Sequence, residues 1–184
     1  MIAKSTSRKM PREINQFLSR TGITKRTLAK DMHVVAQTIT DWTKEDGSAK
    51  NVTAENAVRL NEVANDSSLA QVIGYYYLGL PPSMNGDYRL DLSYLDDLRE
   101  IEEDERDEKI GNKEIKRILC KSKNLDKVSH DKILDTAREQ AEVCIVNNQF
   151  LFALCEQLGM SVMELIEMFM DRWISEGYFG GDNA

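Results

Sequence analysis

Residues 23–42 read I-T-K-R-T-L-A-K-D-M-H-V-V-A-Q-T-I-T-D-W, and this stretch decides the fold of the N-terminal half. Thr24 is a good N-cap for a helix over about residues 25–32, since its hydroxyl can accept from a backbone N–H that the first turn leaves unpaired. Leu28, Ala29 and Met32 fall on the inward face of that helix. A short break at His33-Val34 leads into a second helix over about 36–44, with Ile39 and Trp42 three apart on one side. Two short helices crossing this closely need a small residue at the crossing, and Ala29 stands there. The turn needs one apolar residue pointing inward, and Val34 supplies it. The other side of the second helix, Ala36, Gln37, Thr38, Thr40 and Asp41, is short and polar enough to approach base edges.

Outward from this hairpin, Pro11 opens a helix carrying Ile14, Phe17 and Leu18, and Gly22 closes it. On the other side, Glu45-Asp46-Gly47-Ser48 is loop chemistry, and Thr53 caps a helix with Ala57, Leu60, Val63 and Ala64. A fifth helix over 68–78, with Leu69, Val72, Ile73 and Tyr76 on its apolar face, stops at Gly79-Leu80-Pro81-Pro82.

The pattern resembles the DNA-binding domain of the λ-repressor/Cro (XRE-type) helix-turn-helix superfamily, whose members read L-T-x-x-x-L-A-x-x-x-G-V-S-x-x-T-I-S-x-W. The resemblance covers roughly residues 12–80. It departs at two positions: His33 stands where the turn glycine is usual, so a non-glycine residue must tolerate positive φ, and Val35 replaces the serine N-cap of the recognition helix. More narrowly, V-A-Q-T-I-T-D-W, the loop to residues 52–55 and the helix ending at Pro81-Pro82 resemble phage CII-type transcriptional regulators.

The resemblance implies a sequence-reading role for Ala36, Gln37, Thr38, Thr40 and Asp41, with the Gln37 amide placed for adenine N6/N7 and Ala36 or Thr40 for a thymine methyl. Asp41 could accept from cytosine N4 or pair with a nearby Lys or Arg instead. The resemblance also implies phosphate contacts from Thr24, Lys25, Arg26, Lys44 and Lys50, and groove contacts from a basic arm carrying Arg8 and Lys9. Its operators are usually repeated half-sites, which makes a homodimer or higher oligomer the expected state.

Charge and composition agree with a divided chain. Residues 1–80 hold 11 Lys+Arg against 8 Asp+Glu, a net +3, whereas residues 81–184 hold 13 against 23, a net −10, so the overall −7 hides a basic N-terminal part and an acidic C-terminal one. Between Asp87 and Glu108, 11 acids stand against three arginines, which reads as an acidic connector, although Leu95, Leu98 and Ile101 suit a short amphipathic helix. Beyond it, Ile115, Ile118 and Leu119 form one stripe, and residues 129–158 carry an apolar stripe of Ile133, Ala137, Ala141, Cys144 and Ile145 and then Leu151, Phe152, Leu154, Cys155 and Leu158, with Asn147-Asn148 a candidate break. Residues 162–173 show a strong stripe. Ile145, Leu151, Phe152, Leu165, Phe169, Met170 and Trp173 are the candidate oligomer seam, and the cluster Met160, Met163, Met168 and Met170 reads as core or interface. Residues 154–165 echo the first motif: Leu154, Cys155, Leu158, Met160 and Leu165 occupy the offsets of Leu28, Ala29, Met32, Val34 and Ile39. An ordinary hairpin explains them better, because Glu164, Glu167 and Asp171 would repel phosphate.

The expected fold class is all-α: a flexible basic arm (1–10), a five-helix DNA-binding domain (11–82), an acidic connector (83–111), a helical oligomerisation domain (112–176) and a flexible tail (177–184). Cys120, Cys144 and Cys155 form no CxxC pair and read as buried thiols of a reducing compartment, and the N-terminus shows no signal peptide, so a cytoplasmic protein is expected. No metal-ligand spacing, GxxxxGK[ST] loop or GxSxG elbow is present, so neither an enzyme, a metal nor a cofactor is expected. Self-cleaving repressors use a Ser-Lys pair on a β-rich domain, which the helical C-terminal half does not resemble. The expected partners are double-stranded DNA and the chain itself, with no membrane. Two other readings stay open: an antitoxin-type protein neutralising a partner through its acidic C-terminal half, and a helical protein-interaction module without DNA binding.

Overall fold

The computed structural model describes residues 7–84, 86–120 and 125–179. It is mostly helical, as expected, with two short strands. The chain divides into two compact units, Met1–Pro82 with Ser161–Ala184, and Ser83–Met160.

The first unit opens with strand β1 (Ser7–Arg8), which pairs antiparallel with β2 (Val52–Thr53) in the register Ser7↔Thr53 and Arg8↔Val52. This corrects the expected flexible arm. Arg8 is half-buried in the strand, Lys9 donates from Nζ to the Gly47 carbonyl at 2.9 Å, and Met10 is fully buried. Residues 1–6 of that arm lie outside the described residues. Ladder bonds and burial of Met10 outweigh the chain entropy that a polar, basic composition suggests would prevail.

Helices α1 (Pro11–Thr21), α2 (Lys25–Asp31), α3 (Ala36–Trp42), α4 (Ala54–Ala64) and α5 (Ser67–Ile73) follow. Each begins for a local reason. Pro11 occupies the first turn of α1, and Thr24, Thr53 and Asp66 accept from the N–H groups of Thr27, Asn56 and Leu69. Gly22 ends α1 at φ 70°. One core joins these helices, with Ile14, Phe17, Leu28, Met32, Ile39 and Leu60 at its centre. The fifth helix does not run as one α-helix to Leu78: Gly74–Leu78 continue it as a π-helical turn, where Tyr77 donates to the Val52 carbonyl at 2.6 Å.

The last helix, α9 (Val162–Ser175), belongs to this first unit and not with residues 112–160. Ser161 and Glu164 form a capping box at its start, while Ser161 Oγ donates to Asn65 Oδ1 at 2.8 Å and the Val162 N–H to Ser67 Oγ at 2.9 Å. The Glu164 carboxyl is held below its ordinary pKa by these Ser161 hydrogen bonds. Residues 177–179, expected to be loose, are exposed, but the Tyr178 N–H bonds to the Trp173 carbonyl and the Phe179 ring meets Trp173 edge-on. The rest of the tail, 180–184, lies outside the described residues.

The second unit holds α6 (Leu92–Gly111), α7 (Lys113–Leu119) and α8 (Lys127–Leu158). The acidic segment is thus largely a helix packed on α8, and not a connector. Arg99 draws in Asp96 and Glu103, and Lys109 bonds Asp135 and Glu139 across the seam. α8 is unbroken for 32 residues, about 48 Å. Asn147 and Asn148 do not interrupt it; Asn147 donates to Glu103 Oε1 at 3.4 Å, so its polar group is used sideways and not to terminate the helix. The inward face of α8 also differs from the expected stripe. Ala137, Ala141 and Cys144 are exposed, whereas Thr136, Glu139, Val143, Val146 and Gln149 are buried. Among the cysteines only Cys155 is buried, which pushes its thiol pKa up; Cys120 and Cys144 are exposed. Among the described residues, no single helix is long and apolar enough to cross a membrane.

Candidate nucleic-acid interface

α2 and α3 pack through a turn whose backbone does what the sequence requires. His33 adopts φ 54°, the strained position expected of it, and the Val34 N–H bonds to the Ala29 carbonyl at 2.9 Å. Leu28, Ala29, Ile39 and Trp42 are buried, and Val34 is half-buried. Burial of Ile39 and Trp42 fixes the roll of α3, which leaves Ala36 and Gln37 exposed and Thr38 and Thr40 half-buried. Val35 makes no side-chain cap, as anticipated, and its side chain is 69% exposed. That apolar group at the leading end of α3 suits a thymine methyl. Sequence reading passed over this exposed apolar group because it weighed Val35 only as an absent cap.

Asp41 does not face outward with the other polar residues of α3. Its side chain is 7% exposed and is surrounded by donors: Lys44 Nζ at 2.8 Å, Lys50 Nζ at 2.7 Å and Gln37 Nε2 at 2.9 Å. These bonds, Lys44 first, hold its carboxyl well below the usual carboxylate range, and Asp41 raises the Lys44 pKa in return. A base-reading role for Asp41 is therefore corrected to the other option, pairing with lysine, because both oxygens are committed. The same network restrains Gln37. One Nε2 hydrogen goes to Asp41, leaving the second hydrogen and the amide oxygen, which are the complement of adenine N7 and N6. Thr40 gives its hydroxyl hydrogen to the Ala36 carbonyl at 3.1 Å, so it can offer a base only its methyl or an accepting lone pair.

The cations fall into two groups. Lys25 and Arg26 at the start of α2, and Lys30 near its end, are exposed, and among the described residues none of the three forms an ion pair. Lys44 and Lys50 share the Asp41 carboxylate, so together they add about one positive charge where two were expected. Thr24 is exposed, but its hydroxyl caps α2. The segment after α3 is pinned from below: Asn15 Nδ2 donates to the Thr43 carbonyl at 3.0 Å and to Glu45 at 2.8 Å, and the Lys50 N–H bonds to the Asp41 carbonyl at 2.9 Å. Asn15 escaped notice in the sequence because it lies 28 residues from Thr43, and no local pattern marks such a contact.

The candidate oligomer residues separate. Phe152 is buried inside the second unit, where packing consumes it, and is removed from the seam. Ile145 and Leu151 are half-buried in that unit, whereas Leu165, Phe169, Met170 and Trp173 are half-buried on α9 in the first. The methionine cluster is not core, since Met163 and Met168 are exposed. The echo at 154–165 also loses its parallel: Leu154 and Leu158 are exposed where Leu28 and Met32 are buried.

Compared with protein-family models, with curated proteins and with solved structures, the chain has no match.

Proposed function

We propose that the chain is a sequence-specific DNA-binding transcriptional regulator of the λ-repressor/Cro helix-turn-helix type, as in phages or prophages. α3 enters the major groove, and an oligomer reads a repeated operator. The observation that carries this reading is the arrangement around Gln37. Ile39 and Trp42 are buried behind it, Asp41 restrains its amide from the side, and the outward face of α3 bears only small, polar or methyl-bearing groups. Lys25 and Arg26 supply unpaired charge beside it for phosphate, and Lys44 and Lys50 supply shared charge. The half-exposed stripe Leu165, Phe169, Met170 and Trp173 offers a surface for self-association.

Selection of bound genomic fragments by the purified protein, followed by titration of the enriched site at two salt concentrations, tests the reading. Enrichment of one inverted or direct repeat is expected. Gln37→Ala should relax discrimination at one base pair per half-site by about 1–3 kcal/mol. Lys25→Ala should weaken binding to all sequences and reduce the salt slope by about 1. Absence of enrichment, with only weak binding abolished at moderate salt, would refute the proposal and direct attention to protein partners of the acidic unit.

A further inference from the structure

Glu102 and Glu105 stand three apart on α6, hence on one face of it, and Glu139 faces them from α8. One carboxylate oxygen of each lies within 4.8 Å of the other two. This crowding is not neutralised by the surrounding cations. Lys109 and Arg138 are divided among Asp135, Glu139 and Glu142, and among the described residues Glu102 and Glu105 form no ion pair.

Glu139 distinguishes this cluster from a solvated acidic face. Only 3% of it is exposed, and both cations bind the same oxygen, Oε1. Oε2 is buried without a hydrogen-bond partner. A buried carboxylate oxygen left in this state costs free energy, and two like charges facing it add to the cost, unless a positive group completes the set.

We propose that Glu102, Glu105 and Glu139 bind a hard divalent cation across the seam between α6 and α8. All-oxygen, carboxylate ligation suits Ca2+, Mn2+ or Mg2+ over softer metals. Three oxygens spread around one Ca2+ ion at roughly 2.3–2.6 Å stand about 4 Å or more apart, so carboxylates within 4.8 Å of one another are close enough for a single ion to gather. Half-buried Glu102 and exposed Glu105 leave the entry side open to water, which fills the remaining positions. The bound ion ties two helices of the second unit together and removes the repulsion at their seam. This inference concerns the second unit alone and stands or falls independently of DNA binding.

The test uses the full chain, freed of metal by a chelator and titrated calorimetrically with Ca2+, Mn2+ and Mg2+, with thermal unfolding in parallel. One saturable site per chain is expected, strongest for Ca2+ or Mn2+, with an unfolding midpoint that climbs with ion concentration. Because Glu139 also anchors Lys109 and Arg138, the deciding variants are Glu102→Gln and Glu105→Gln at the open side of the cluster. Each should weaken ion binding by at least about tenfold while remaining no less stable than the metal-free parent. No saturable binding of any of the three ions, or binding unchanged in both variants, would overturn the proposal and leave an acidic cluster only.

Discussion

Helix meets helix through different chemistry in the two units. In the first, Ile14, Phe17, Met32 and Leu60 are essentially dry, and the polar groups near them serve as caps or as the Asp41 clamp. In the second, α8 turns Ser129, Thr136, Glu139 and Gln149 inward alongside Val143, Val146 and Cys155, and Lys109 of α6 bonds Asp135 and Glu139 across the seam. The first arrangement is non-directional and draws on buried area. The second is directional and gives a small net gain per pair, because each charge loses hydration when it is paired. The contrast teaches that one chain can rely on an apolar core in one unit while charge pairing adds to the helix seam of the other.

The largest expected effect breaks the apolar side of this contrast. Phe17→Ala removes a side chain that is 1% exposed and should cost about 3–5 kcal/mol by denaturant titration. A loss below about 1 kcal/mol would mean that this core is less tightly filled than its burial implies. Next comes the ionic side. Lys109→Met releases Asp135 and Glu139, and should lower hydrogen-exchange protection along α6 and the facing turns of α8 while leaving α1–α5 unchanged. Acid should act in the same direction. Lys109 first, then Arg138, depresses the Asp135 pKa, so this contribution is complete above the unfolded pKa of about 4 and is lost as pH falls through the lower folded value. Acid also releases the Asp41 clamp in the first unit, so the variant separates the units more cleanly than pH does. The smallest effect sharpens the comparison on the surface of α3. Val35→Ser supplies the missing cap and should gain about 1 kcal/mol in thermal unfolding, while removing the exposed apolar group at the leading end of α3.

The difference in chemistry also explains what could be read in the sequence. Leu28, Ala29, Met32, Ile39 and Trp42 were legible because their periodicity is the packing, and the positive φ at His33 was expected from the resemblance, which has a glycine at that turn position. The second unit hides its interior from the same test. A buried Glu139 flanked by exposed Ala137 and Ala141 inverts the hydrophobic pattern, so the outer face of α8 looks like the inner one. Only knowledge of the facing Lys109, 30 residues earlier in sequence, would have reversed the assignment. The β1–β2 pair was illegible because two-residue strands have no alternation to detect. At the candidate site, Ala36 and Gln37 are exposed and Thr38 and Thr40 half-buried, whereas the inward turn of Asp41 depends on Lys50, which lies across a loop and which no local pattern links to it.

The anchoring of Ser161 and Val162 on Asn65 and Ser67 has a consequence for folding order. The polypeptide leaves the first unit after Pro82 and rejoins it at Ser161, so the second unit is an insertion between two parts of one body. While the insertion is unfolded, α9 docks by closing a loop of roughly 80 residues; once it has folded, that closure entropy has already been spent locally. Replacing the insertion by a short flexible linker of about 10 residues shortens the loop by three doublings and favours docking of α9 by about 2 kcal/mol over the unfolded insertion. The insertion thus acts on its host through chain connectivity, by setting the length of chain that the docking of α9 has to close.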